Sequence, residues 1–262
     1  MESLATIGIE RDGDVLVATI DNPNSDMNAV DAQLHADLAE LMRLLKVERS
    51  ARAVLLQGSK RAFSAGGDFG WFPTLDSVAK LDHLRSEAKS MVWDLLDIEL
   101  PIVAALNGPA VGLGASVALL CDVVVMSSTA TIVDPHVRVG IVAGDGGAAI
   151  WPLLVGPLKA KQYLLTGDAV GADEAYRLGI VTEVTSPDEL GDRSRAWAHR
   201  LAAGAPLAIR YTKQAINAQV KRALLDSFDV STALEIVTFR SDDHAEALAA
   251  LRERRPPHFK GA

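Results

Sequence analysis

Three short stretches of this 262-residue sequence place groups in patterns that chemistry can use. The first is Ala62-Phe63-Ser64-Ala65-Gly66-Gly67-Asp68, which follows an apolar run and precedes a helical pattern. Small residues there let a ligand touch the backbone, and N–H groups at a helix start attract negative charge. Asp68 would cap that helix; the alternative is a tight turn chosen for packing. The second is Asn107-Gly108-Pro109-Ala110-Val111-Gly112-Leu113-Gly114-Ala115-Ser116, again an apolar run, a Gly-rich turn and a helix start. Two such N–H clusters converging on one oxygen would stabilise a developing oxyanion. The third joins Asp134-Pro135-His136 to Gly144-Asp145-Gly146-Gly147, with Asp145 nine positions after His136. A carboxylate can orient an imidazole and raise its basicity, so the pair could activate water near neutral pH. Alternatively Asp145 is itself nucleophile or base with His136 as support. The plainer readings are that Asp145 caps the next helix and that His136 bonds to Asp134 or a backbone carbonyl.

Weaker signals are read against their plain alternatives. Ser116 in Gly114-Ala115-Ser116-Val117-Ala118 could be a nucleophile, or a small residue at a crowded helix start. Gly112-x-Gly114 lacks the third glycine and the acidic residue of a dinucleotide fingerprint. Cys121, the single cysteine, reads as an inert core residue and rules out an internal disulfide. No His/Cys cluster has metal-ligand spacing, so no metal is expected. Trp71, Phe72 and Trp93 could line an acyl pocket or simply pack.

The elements that must hold these groups follow from periodicity. Asp12-Gly13-Asp14 between residues 7–10 and 15–20 is a hairpin signal. Helical spacing marks residues 30–46 and 75–96, and apolar runs at 53–56, 102–106 and 122–126 read as buried strands. A short helix is expected over 112–120, a short strand over 131–133, and a helix after Gly147. From about Glu189 the strands stop, and three helices are expected over 189–203, 206–220 and 224–251, before Pro256-Pro257 ends helicity. Strand–helix alternation followed by helices implies an α/β sheet covered by helices.

Composition bounds the rest. Hydrophobic residues make up 49% of the chain and charged ones 23%, enough for a large core. The net charge of −8 argues against nucleic acid as a partner. The apolar stretch 102–126 carries Asn107-Gly108-Pro109 and Asp122, unlike a membrane span. A reducing, cytoplasmic setting without a secretory leader is the expectation.

The segments FSAGGD and NGPAVGLGAS resemble the two oxyanion-hole signatures of the crotonase (enoyl-CoA hydratase/isomerase) superfamily. The resemblance runs on through Val139-Gly140, Leu164-Leu165-Thr166-Gly167, Leu178-Gly179-Ile180-Val181 and the tail Pro257-His258-Phe259-Lys260-Gly261. It implies a ClpP/crotonase-like spiral of ββα units over residues 1–195. A helical trimerisation region over 196–262 would follow, with a homotrimer or dimer of trimers as the assembly. Gly67 and Leu113 would supply the oxyanion N–H groups. Ala65 and Gly66 would lie along coenzyme A, Asp26 and Met27 would fall beside the pantetheine, and Phe259 and Lys260 would approach the nucleotide. No cofactor is expected to be held permanently; coenzyme A would arrive as part of the substrate.

The departures from the pattern bear on the reaction. Hydratases of this family place catalytic glutamates where this chain has Ser116 and His136. The order His136, Asp145, Glu235 is instead similar to the β-diketone hydrolases akin to 6-oxocamphor hydrolase, in which Glu235 would join the catalytic set. That subgroup's second histidine falls on Leu113, and by itself Glu235 reads as a solvated helix residue. The expectation is therefore a lyase-type enzyme of fatty-acid metabolism acting on an acyl-CoA thioester through an oxyanion-stabilised enolate. A carbon–carbon bond hydrolase and a non-catalytic acyl-CoA-binding protein are the alternatives.

Overall fold

The computed structural model describes residues 4–262. Strands β1 (Ile7–Asp12) and β2 (Val15–Ile20) form the expected hairpin. Helix α1 (Ala32–Val47) then leads to β3 (Ala53–Gly58), and α2 (Val78–Asp97) to β4 (Ile102–Leu106). After the two-residue β5 (Ala110–Val111) and α3 (Leu113–Leu119) come β6 (Val123–Ser127) and β7 (Thr131–Val133). A 3-10 turn, His136–Val139, precedes α4 (Gly147–Thr166), β8 (Val170–Gly171), α5 (Ala172–Leu178) and β9 (Glu183–Thr185). Three helices close the chain: α6 (Leu190–Ala202), α7 (Pro206–Thr238) and α8 (Asp242–Glu253).

Six strands form one sheet in the order β1-β2-β3-β4-β6-β9, parallel apart from the hairpin. Its central strands are apolar on both faces, as a parallel sheet covered by helices requires. Val54, Leu56, Ala104 and Leu106 join the main core with Leu34, Leu38 and Leu41 of α1. Their neighbours Leu55, Val103 and Ala105 face the other way, against Leu190, Ala198 and Ala202 of α6. Residue 195 thus falls inside a helix that packs on the sheet, and α6 belongs with the spiral rather than with the helices after it.

A smaller sheet, β5-β7-β8, carries the chemistry-bearing loops. An isolated parallel bridge between Ser64 and Ala110 ties the first Gly-rich loop to it. Ser64 N–H donates to Pro109 O at 3.1 Å and Val111 N–H to Ser64 O at 2.9 Å. Glycines permit the close approach: a Cβ on Gly66 would lie 2.9 Å from Val111 O, and one on Gly114 2.7 Å from Ser64 Cβ.

Two helix boundaries differ from the sequence expectation. The chain does not break near residue 221: α7 runs unbroken through Lys221-Arg222, both good helix formers. The break comes instead at residues 239–241, where the Ser241 side chain accepts the His244 N–H and caps α8. The length of α7 has a consequence for the site. Lys213 anchors it to Leu100 O and Asp122, Asn217 to Leu96 O, and its far half reaches the Gly144 loop.

Among the described residues, no helix is long and apolar enough to cross a membrane.

Candidate active site

A cavity of about 60 Å³ opens where the two loops, the 3-10 turn and α7 meet. Gly67, Leu113, His136, Asp145 and Glu235 all line it. Five residues spread over 168 positions of sequence (235 − 67) thus face one space.

Leu113 is the first residue of α3, so its N–H has no acceptor within the helix. Gly67 sits in the loop beside Val30, and its N–H donates to no protein acceptor among the described residues. The Phe72 ring fills the space beside Gly67: a Cβ there would lie 2.2 Å from it. Asp68 accepts from the N–H groups of Gly70 and Trp71. It therefore caps a turn leading into a 3-10 segment, Phe72–Thr74, rather than the start of a long helix; α2 has its own cap in Ser77.

The imidazole of His136 is held from both sides. Its Nδ1–H donates to Asp134 Oδ1 at 2.5 Å, and Nε2 lies 3.4 Å from Asp145 Oδ2 and 4.0 Å from Glu235 Oε1. The Ser116 hydroxyl donates to the other Asp145 oxygen at 3.3 Å. Ser116 thus supports Asp145, with no histidine hydrogen-bonded to activate it as a nucleophile. Asp145 does not cap α4: the cap position is Gly146, with no side-chain bond. Glu235 is no solvated helix residue, since its side chain is 12% exposed. Its carboxyl packs so closely on Gly144 that a Cβ there would lie 2.4 Å from Oε2.

These contacts set the protonation states. Burial alone would push His136 down, but the Asp134 and Asp145 carboxylates outweigh it and hold the imidazole well above its ordinary value. Burial pushes Asp145 up, yet the imidazolium beside it wins and lowers it. Burial and the Asp145 charge together push Glu235 well above the usual carboxylate range. The surroundings thus push the three groups apart: His136 toward its charged form, Asp145 toward its carboxylate and Glu235 toward its acid form.

The sequence reading missed His35. It is 2% exposed, lines the same cavity, and bonds through Nδ1 to Glu87 at 3.1 Å. The available signal was a polar residue on the buried stripe of α1, one turn before Leu38. Asp134, His136 and Asp145 also lie close enough together for one ligand atom from each to meet. The ring nitrogens there are already engaged with carboxylates.

The remaining predicted positions fall into two groups. Ala65 and Gly66 lie in the first loop, where Ala65 N–H donates to Met27 O and Val30 N–H to Gly66 O, so Met27 and its exposed neighbour Asp26 adjoin it. Phe259 and Lys260 lie elsewhere: the backbone of Lys260 donates to Asp243 of α8, and Phe259 is exposed. Trp71 and Phe72 line the cavity, whereas Trp93 packs beside Val92 and Leu96 in another cluster.

The enoyl-CoA hydratase/isomerase family profile matches residues 10–262. A probable enoyl-CoA hydratase of Rhodobacter capsulatus is 32% identical over 259 residues, 99% of each chain. The solved structure of an enoyl-CoA hydratase/isomerase from Mycobacterium paratuberculosis superposes with a TM-score of 0.90 at 35% identity, covering 95% of this chain and 99% of that one. A β-diketone hydrolase from the cyanobacterium Anabaena, solved with (S)-3-oxocyclohexyl acetic acid bound, gives 0.84 at 30% identity over 89% of this chain and 94% of its own. With a profile that spans nearly its whole length and the crotonase-like fold around this cavity, the chain belongs to the enoyl-CoA hydratase/isomerase family.

Proposed function

We propose that the protein adds water to an enoyl-CoA thioester through an enolate held by the N–H groups of Gly67 and Leu113. One observation carries the reading: Asp145 and Glu235 face one cavity from either side of the His136 Nε2, at 3.4 and 4.0 Å, in surroundings that push the two carboxyl groups in opposite directions. Environments that push two carboxyl groups apart in pKa assign the base and the acid. Hydration needs one of each.

The steps balance. Asp145 takes a proton from water as the water oxygen bonds to the β-carbon. The alkene electrons move through the α-carbon onto the thioester oxygen, where the two N–H groups meet the growing charge. As the enolate collapses, Glu235 gives its proton to the α-carbon. His136, between the two, returns the proton from Asp145 to Glu235. Asp145 and Glu235 thus stand in for the family's two glutamates, whose positions hold Ser116 and His136.

Coenzyme A arrives with the substrate, and Ala65, Gly66, Asp26 and Met27 are the residues proposed to line its path. Phe259 and Lys260 would reach a nucleotide only across an assembly. A homotrimer or dimer of trimers is part of the proposal, supported by exposed apolar side chains such as Leu158 of α4 and Leu225 of α7.

A second reading is favoured by Glu235, the third acidic group around His136, and by the Anabaena neighbour. It is hydrolysis of a carbon–carbon bond in a β-diketone. Water adds to one carbonyl, the bond to the central carbon breaks, and the enolate on the other carbonyl takes its proton from Glu235.

The test is mass spectrometry of products formed in oxygen-18 water from 2-enoyl-CoA esters and from cyclic β-diketones, with wild type and Asp145→Asn. Label in a 3-hydroxyacyl-CoA, reduced about 10²–10⁴-fold in the variant, is the expected result. Label in a new carboxylate from the diketone alone would replace the first reading with the second. Turnover of neither would sink both and leave a non-catalytic acyl-CoA-binding role.

A further inference from the structure

We propose that Asp134, rather than Asp145, is the residue that orients His136, which leaves Asp145 free to act on water. The inference rests on the reading that His136 serves this site. It is carried by the unequal geometry of the two carboxylates.

Asp134 grips the histidine twice. Its Oδ1 accepts from Nδ1–H at 2.5 Å and also from the His136 backbone N–H at 3.4 Å. Asp145 stands farther off, at 3.4 Å from Nε2, and shares its second oxygen with Ser116. A residue that must accept a proton from water cannot also be fully committed to aligning a ring. A residue 1% exposed, such as Asp134, cannot reach substrate.

The backbone that carries Asp134 is also the better anchored. It directly follows β7, which pairs with β5 on one side and β8 on the other. Gly112 N–H donates to Val133 O at 2.9 Å, one residue before Asp134 and one before Leu113. A single hydrogen bond therefore sets the imidazole and the Leu113 N–H in register. The second oxygen of Asp134 has no protein partner and presses on the first residue of α4. A Cβ on Gly147 would lie 2.0 Å from it. There the positive end of the helix dipole favours a carboxylate.

Four groups bear on His136 or on its immediate partners. Asp134 comes from its own segment, Asp145 from the loop before α4 and Glu235 from α7. His35 of α1 acts through the Asp145 charge. Of these, only Asp134 meets Nδ1, so only its loss should free the tautomer.

The experiment is a nitrogen-15 NMR titration of histidine-labelled full-length protein, comparing wild type, Asp134→Asn and Asp145→Asn. In Asp134→Asn the His136 titration should move about 1–3 pH units lower, and the Nδ1–H form should no longer dominate once the ring is neutral. Asp145→Asn should lower the titration but keep the proton on Nδ1. In turnover, Asp134→Asn should reduce kcat about 10–100-fold with KM nearly unchanged. The pH profile should move with the NMR titration. A second variant, Gly147→Ala, displaces the Asp134 carboxylate without altering either residue of the pair and should shift His136 in the same direction. Wild-type titration and tautomer in both variants, with fold confirmed by circular dichroism, would overturn the assignment. The titration uses no substrate, so its failure is distinct from failure of the proposed reaction.

Discussion

Two histidines flank the same 3-10 turn and end in opposite states. His136 opens the turn, and His244 of α8 packs against its end, donating Nδ1–H to Val139 O at 2.7 Å. Both are largely buried. His244 lies among rings, with Phe239 at 5.1 Å and Phe72 at 5.9 Å between centroids, and burial pushes it below its ordinary value. His136 has carboxylates in place of rings and is pushed the other way. Burial alone disfavours a charged imidazole; what surrounds the buried ring decides the sign. One short turn thus has a histidine among carboxylates at its start and a histidine of α8 among aromatic rings at its end.

The largest expected effect that tests the contrast is on turnover. His136→Gln should lower kcat about 10²–10⁴-fold, because it removes the link between Asp145 and Glu235. His244→Gln should stay near wild type in steady-state assays. Equal losses in the two variants would erase the distinction.

Glu235→Gln comes next. It removes the proposed proton donor and should lower kcat about 10²-fold. It should also stabilise the fold. Above pH 4.5 an unfolded glutamate ionises, while the folded one keeps its proton, so the native side chain lowers stability as pH rises toward its raised folded value. A gain of about 2–4 °C in Tm at pH 7, read by calorimetry, corresponds to about 1 kcal/mol. A fall in Tm would mean that the carboxyl stabilises the fold.

The smallest effect is the pH dependence of stability itself. His136 contributes stability that is fully present below about pH 6.5 and lost as pH rises through its folded value. His244 contributes in the opposite sense: stability is lost as pH falls from 6.5 toward its lowered folded value. Denaturant melts across pH should show the acid-side loss diminished in His244→Gln and the alkaline-side loss diminished in His136→Gln. Parallel curves would show that neither histidine is linked to folding.

Much of this was legible in the chain because periodicity and small residues are local signals. The hairpin, the central strands and both Gly-rich loops need only a few neighbouring residues to declare themselves. The pairing of His136 with Asp145 was readable mostly from family position, since both fall where relatives keep catalytic groups, rather than from their spacing. Long-range contacts hid the rest. Glu235 looks like any helical carboxylate until Gly144 packs on it, and His35 needs Glu87 from another helix to be satisfied. The two-residue strands β5 and β8 have no period to detect. The length of α7 was misread because apolar spacing loosens near Lys221, although nothing there stops a helix.

The Phe72 ring seated on the α-carbon of Gly67 acts as a latch on the resting protein. Under the proposed reaction, a thioester that reaches the Gly67 backbone from the side of its α-carbon meets the Phe72 ring first. Encounter and engagement are then separate events, the second set by rotation of an aromatic side chain wedged between Phe69 and Phe239. The charged cluster behind it keeps a narrow contact with solvent, its His136, Asp145 and Glu235 side chains being 11%, 11% and 12% exposed.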